Sequence, residues 1–237
     1  MKKTRAMLTL GSHRIEAIAF DLDGTLLDSA PDIHAALAAA FESAGLAAPP
    51  LAAVRGWIGD GPDRLIAEAL SAAGRMDADL ARAMREVFDR HTLAAPVVHG
   101  GVYPGIADLL ARLYGRLPLV VISNKPSRLG RGVLEAAGIL DRFDAVLGAD
   151  TPDQRKPAPA MLLAAAHRLD IPRSGLLMIG DGPADLGAAR RAGCPAIWAA
   201  WGYGTTATVE LGDALRAETP AALAPLLTRA IHATAEP

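Results

Sequence analysis

A doubly wound parallel α/β core, interrupted by an all-helical module, is the fold class this sequence predicts. Three observations carry it. Apolar strand-like runs alternate with helical patterns after the Gly100-Gly101 pair, a rhythm that builds right-handed crossovers around a parallel sheet covered on both faces. One further apolar run, at the start, is cut off from the others by residues 28 to 101, which show helical patterns and no convincing strand. The composition agrees, because 237 residues with 51% hydrophobic, 50 alanines and only 4% aromatic give a large core of closely packed small-residue helices.

The first strand is IEAIAF, Ile15 to Phe20, which breaks into the polar turn DLDGT. Ser29 is placed to cap a helix with Pro31 and Asp32 in its first turn, running to Ala44 and closed by Gly45. Helices at Leu51 to Trp57, Pro62 to Ala73 and Asp77 to Ala95 complete the inserted module. From there helices are expected from Pro104 to Tyr114, up to Gly138, from Ala158 to Leu169 and from Ala184 to Ala192. Between them lie the strands LPLVVIS, FDAVLGA and LLMIG, and AIWAA follows the last. Thr219 and Pro220 form a cap and first-turn pair for a final helix toward Ile231. This divides the chain into a core of residues 13–27 and 102–237 and a helical insert of 28–101.

Charge and hydropathy exclude several classes of function. The formal charge is −2, from 24 basic and 26 acidic residues, so no net field recruits nucleic acid or an anionic membrane. No apolar run is long enough to span a bilayer, and the apolar stretch in MKKTRAMLTLGSH is too short for a signal-peptide core, so a cytoplasmic location is expected. The single cysteine, Cys194, forms no internal disulfide and reads as a small buried hydrophobe.

In doubly wound sheets ligands bind beyond the carboxyl ends of the strands. Those ends carry Asp21, Asp23 and Thr25, then Ser123, Asn124 and Lys125, then Asp150 and Lys156, then Asp181 with Asp185 one helical turn on. The choice of base adds an independent clue. The chain has 20 arginines and four lysines, two of the lysines at positions 2 and 3, so Lys125 and Lys156 are the only internal ones. A compact ammonium kept where the chain otherwise uses arginine suits a point charge on phosphate. Asp21 and Asp23, two apart, can share one site. Asp21 and Asp181 together call for a hard divalent cation, and magnesium fits because it takes few carboxylates and favours phosphate oxygens.

DLDGT, Ser123 after an apolar strand, Lys156 in RKPAP and GDGPAD at 180 to 185 resemble the four ordered motifs of the haloacid dehalogenase (HAD) superfamily. Within it, FDLDGTLLDSAPD, WIGDG, SNKP, RKPAP and AGCP are similar to phosphoglycolate phosphatases. The resemblance implies a Rossmann-like core with an inserted helical cap, and a magnesium-dependent phosphatase acting on a small phosphorylated metabolite. By the same resemblance Asp21 is the nucleophile, Asp23 the acid and base, and Ser123 and Lys156 the phosphoryl-binding pair, with Thr25 and Asn124 beside them. Mg2+ would sit on the Asp21 carboxylate, the Asp23 carbonyl and Asp181, while Asp185 orients Lys156 or a metal-bound water. Position 182 departs from the pattern: it is glycine where many relatives have a hydroxyl residue, so a hydrogen bond near the metal is expected to be missing.

Phosphonate-cleaving relatives need a cap lysine, and residues 28–101 contain none; dehalogenating relatives generally lack the second aspartate, which is Asp23 here. A phosphomutase, a phosphatase of a specialised natural-product pathway acting on a larger phosphosugar conjugate, and a non-enzymatic HAD-like binding or regulatory protein remain as alternatives. Retention of both Asp21 and Asp23 speaks against the last. Trp57, Asp60 and Arg64 are the cap residues placed to touch a leaving group, and each also has an ordinary reading as a packing or solvated side chain. The stretch from Trp198 to Tyr203 reads as packing. A monomer and a homodimer are equally compatible with the pattern.

Overall fold

The computed structural model describes residues 8–10 and 13–228. Its centre is a six-stranded parallel sheet. The strands are β3 (Ala17–Phe20), β6 (Leu119–Ser123), β7 (Ala145–Gly148), β8 (Leu176–Gly180), β9 (Ala196–Ala199) and β10 (Leu215–Ala217). Their order across the sheet is β10-β9-β8-β3-β6-β7, with Phe20 opposite Val121 on one side and Ile179 on the other. From β3 the chain first builds outward through β6 and β7, then returns to build β8, β9 and β10 on the opposite side. The reversal lies at β3, so the crevice beyond the ends of β3 and β8 is where such a sheet receives a ligand.

Alternation along β3 shows how the two faces are made. Ile18 and Phe20 point into a layer with α5 (Ile106–Leu113), α6 (Ser127–Ala136) and α9 (Pro220–Thr228). Ala17 and Ala19 point the other way, onto α7 (Ala160–Leu169) and α8 (Pro183–Ala192), whose contact residues include Ala165, Ala166, Ala188, Ala189 and Ala192. Small side chains on both partners let these helices lie close to the sheet, which explains the alanine content. On the other face, burying Phe20 completely contributes roughly 2–3 kcal/mol.

The inserted module is α1 (Ala30–Ser43), α2 (Leu51–Arg55), α3 (Pro62–Ala72) and α4 (Ala78–Ala94), packed around its own cluster of Leu37, Phe41, Leu65, Ile66, Met84 and Phe88. It joins the core through a short two-stranded neck, β4 (Leu27–Asp28) and β5 (Gly101–Val102), which are antiparallel. The carboxylate of Asp32 fastens this neck by accepting from the backbone N–H groups of Val98, His99 and Gly100.

Several elements differ from the sequence expectation. Ile15 is not part of the central strand: it ends β2 (His13–Ile15), which forms an antiparallel hairpin with β1 (Leu8–Leu10). Leu8 is buried in the main core. Strand β10 carried no clear apolar pattern, being exposed along most of its length at the sheet edge. Ser29 is not a capping side chain. Its backbone is helical rather than extended, and its hydroxyl donates to Asp23 Oδ1 at 2.6 Å. Gly45 does close α1 at positive φ, and Asp77 caps α4 by accepting from Asp79 and Leu80. Thr219 accepts from the Ala222 N–H, and the expected end of that helix near Ile231 lies outside the described residues. Among the described residues no helix is long and apolar enough to cross a membrane.

Candidate active site

Asp21 follows β3 and Asp181 follows β8, two paired neighbours, so the reversal of the sheet brings both carboxylates to one crevice. Asp185 arrives from the first turn of α8, and carboxylate oxygens of Asp21, Asp181 and Asp185 lie within 4.8 Å of one another. Lys156 reaches in from the loop before α7. Its Nζ donates to Asp21 Oδ1 at 2.7 Å, Asp185 Oδ1 at 2.6 Å and the Ile122 carbonyl at 2.9 Å. All four side chains are buried.

Three buried carboxylates face one ammonium, so acid is in excess over base. Burial, then Asp185, pushes the Asp21 carboxyl up to about 8, against the pull of Lys156. Burial and Asp185 push Asp181 up to about 7, although the Tyr203 N–H and the Thr25 hydroxyl both favour its anion. Burial alone would lower the Lys156 ammonium, but Asp185 and Asp21 outweigh it and hold the lysine above its ordinary range. A bound divalent cation would balance this excess charge. Hard carboxylate oxygens are the donors such an ion prefers. The cradle is also shaped for it: Gly24 sits at φ +86 with its α-carbon against the Asp181 carboxylate, where a side chain would collide.

Asp23 lies beside this cluster. Its Oδ1 accepts from Ser29 Oγ and from Lys125 Nζ, both at 2.6 Å. Ser123 is buried at the end of β6 and its Oγ accepts from the Lys125 N–H at 3.2 Å. Asp181 is held from several directions. Thr25 Oγ1 donates to its Oδ1 at 3.0 Å, the Tyr203 N–H to its Oδ2 at 2.7 Å, and the Trp198 indole to its carbonyl at 2.8 Å. The Tyr203 hydroxyl donates to Asp28 in the neck and accepts from the Ala30 N–H, so one residue ties the acidic cluster to the start of the helical insert.

Two clefts meet at Asp21 and Asp23. One, of about 1060 Å³ including space open to solvent, runs past Asp181 and is lined by Trp57, Asp60 and Arg64 of the insert. The other lies under the insert beside Lys125. Contacts across the clefts include Asn124 Nδ2 donating to the Gly59 carbonyl at 2.8 Å, and Arg155 paired with Asp63 at 3.3 Å.

With this geometry in place, comparison with known proteins is decisive. The sequence profile of haloacid dehalogenase-like hydrolases matches residues 15–193, well over half of the chain. The chain belongs to that family. The phosphoglycolate phosphatase of Yersinia pseudotuberculosis is 40% identical over 192 residues, covering 80% of this chain and 82% of that one. The Escherichia coli K12 phosphoglycolate phosphatase is 34% identical over 218 residues, covering 84% and 86%. Among solved structures, a predicted phosphoglycolate phosphatase from Haemophilus somnus superposes with a TM-score of 0.80 at 26% identity, covering 88% of this chain and 96% of that one. CbbY from Rhodobacter sphaeroides, in complex with phosphate, gives 0.71 at 26% identity, covering 87% and 95%.

In this HAD hydrolase the structure gathers Asp21, Asp23, Lys156, Asp181 and Asp185 at one crevice, and Ser123 lines the adjoining cleft with Asp21 and Asp23. Two others, expected beside the phosphoryl group, have protein partners. Thr25 spends its hydroxyl on Asp181, and the Asn124 side chain bonds the Lys156 backbone and Gly59. Glycine at 182 leaves Asp181 well supplied with hydrogen bonds, and its own N–H donates to Asp185 Oδ2 at 2.9 Å. In the cap, Arg64 pairs with Glu68 on the surface and Trp57 packs on the cap cluster. Sequence reasoning missed Ser29 and the support of Asp181 by Trp198 and Tyr203. The glycines flanking Tyr203 were the available signal, because both abut Asp181 too closely for a side chain.

Proposed function

We propose that this HAD hydrolase is a magnesium-dependent phosphatase of a small phosphomonoester, phosphoglycolate-like or a sugar phosphate, working through an aspartyl-phosphate on Asp21. The observation that carries the reading is a buried carboxylate, Asp21, fixed by Lys156 at the sheet's reversal with Asp23 two residues on. We likewise place the division between core and cap at the β4–β5 neck, giving a cap of 28–101.

Lys156 occupies Asp21 Oδ1, which leaves Oδ2 to attack phosphorus. As that bond forms, the bond from phosphorus to the ester oxygen breaks, and Asp23 gives the departing oxygen its proton. In the second half, Asp23 takes a proton from the water that attacks the phosphorus of the aspartyl-phosphate, releasing inorganic phosphate and restoring the Asp21 carboxylate. Ser123 and Lys156 bind the phosphoryl oxygens throughout. Asp21, Asp181 and the Asp23 carbonyl would hold Mg2+, which supplies charge neutralisation on the phosphoryl group. Asp185 keeps Lys156 aimed at Asp21.

Phosphate release from a panel of phosphorylated acids, sugars and nucleotides, with magnesium and with EDTA, tests the reading. Turnover that needs the metal is expected; release of phosphate from none of them would overturn it. Stability gives a second, independent check. Asp21 and Asp181 titrate near 8 and 7 when folded, against 3.8 in the unfolded chain. Between those values the folded state holds more protons, so the metal-free protein becomes less stable as pH rises from about 4 to about 8. Magnesium competes with those protons, so its increase in melting temperature should be larger at pH 8.5 than at pH 5.5. Equal shifts at the two pH values would show that the metal does not bind at these acids.

A further inference from the structure

Lys125 is a buried charge that the chemistry above does not use. It is one of only two internal lysines, follows Ser123 and Asn124 at the end of β6, and is 6% exposed. Its ammonium sits 2.6 Å from Asp23 Oδ1. Desolvating a lysine is costly, so a site that keeps one uses its charge.

The cleft beside it is narrow and reaches Asp21, Asp23 and Ser123. Its cap wall is apolar, built from Ile33, Ile58, Pro62, Leu65 and Phe88, and Lys125 is the one cation among its lining residues. A leaving oxygen must come within hydrogen-bond distance of Asp23 to be protonated. Asp23 already touches the ammonium, so the first atoms beyond that oxygen fall next to Nζ. In the wider cleft the guanidinium groups of Arg55 and Arg64 are paired with Asp28 and Glu68 and are 46% and 60% exposed, where solvent screens them.

We propose that Lys125 determines specificity: its ammonium takes the carboxylate of a short acidic leaving group, selecting phosphomonoesters of small hydroxy acids over those of neutral alcohols. The assignment rests on the phosphatase reading and goes beyond it by naming the group that reads the leaving group. A neutral ester leaves the buried ammonium unpaired by substrate, which is the kind of mismatch that discriminates strongly.

The test compares kcat/KM for 2-phosphoglycolate and 2-hydroxyethyl phosphate, which differ in the anion, in the wild-type enzyme, Lys125→Met and Lys125→Arg with magnesium. The wild type should favour the acid by about 10²-fold. Lys125→Met removes a partner of Asp23, so a fall in kcat common to both esters is expected; beyond it, the ratio between acid and neutral ester should collapse through a raised KM for the acid, and Lys125→Arg should keep part of that ratio. Equal losses on both esters would make Lys125 only a support for Asp23 and overturn the proposal, as would a wild type without preference. Thermal unfolding of each variant separates these results from loss of fold. Hydrolysis of neither ester by the wild type, with other phosphomonoesters still cleaved, overturns the assignment alone; hydrolysis of none overturns the phosphatase reading as well.

Discussion

Asp21→Asn is expected to abolish turnover, lowering kcat by about 10⁴-fold or more, while the protein stays folded. The amide retains the shape of the side chain and can accept from Lys156 through its oxygen, but it lacks the anionic oxygen that the proposed mechanism sends against phosphorus. Removing one of three crowded carboxylates also relieves repulsion, so the metal-free variant should unfold at a higher temperature than the wild type near pH 8, where Asp21 would otherwise be losing its proton. Phosphate release and thermal unfolding measured on the same preparation check both halves. Activity above about one hundredth of wild type would move the nucleophile to another residue.

Lys156→Met carries the second large effect, on stability as well as activity. The ammonium is 2% exposed and bonds two carboxylates and a carbonyl. Deleting one partner of a buried ionic cluster leaves the others uncompensated, at a cost of about 3–5 kcal/mol. Asp21, whose carboxyl burial already pushes up to about 8, can escape part of that cost by binding a proton, so the loss should be greatest at pH 8 and shrink toward pH 6. Denaturant unfolding at the two pH values reads the difference. A loss independent of pH would mean that packing of the lysine stem, and not its charge, holds this part of the core. Turnover should be lost at either pH, because nothing else among the described residues places a cation on Asp21.

Much of this site was legible before any coordinates. Asp21, Asp181 and Lys156 stand where apolar runs stop, and a parallel sheet collects its strand ends at one edge, so their convergence follows from topology. The scarcity of lysine singled out Lys125 as well as Lys156, although its partner Asp23 could not be read from spacing. Ser29 was misread for a local reason. A serine before a proline-bearing helix start has the look of a cap, yet the turn that returns DLDGT toward the neck puts its hydroxyl on Asp23. Thr25 and Asn124 carry polar groups at the expected edge, but neighbours from distant segments claimed them first. The hairpin before β3 and the strand β10 were hidden because short edge strands have too few alternating positions to show a period.

The sequence by itself determined the class of fold, the helical insert, the acids and the lysine of the site, because hydrophobic period and strand-end chemistry are local properties of a chain. Tertiary structure alone decided which polar groups meet: Lys125 with Asp23, Tyr203 with both Asp181 and the neck, and Asn124 with the cap. Hydrogen bonds and ion pairs between residues 22 to 175 positions apart depend on how loops cross above the sheet. No periodicity in the chain encodes those crossings.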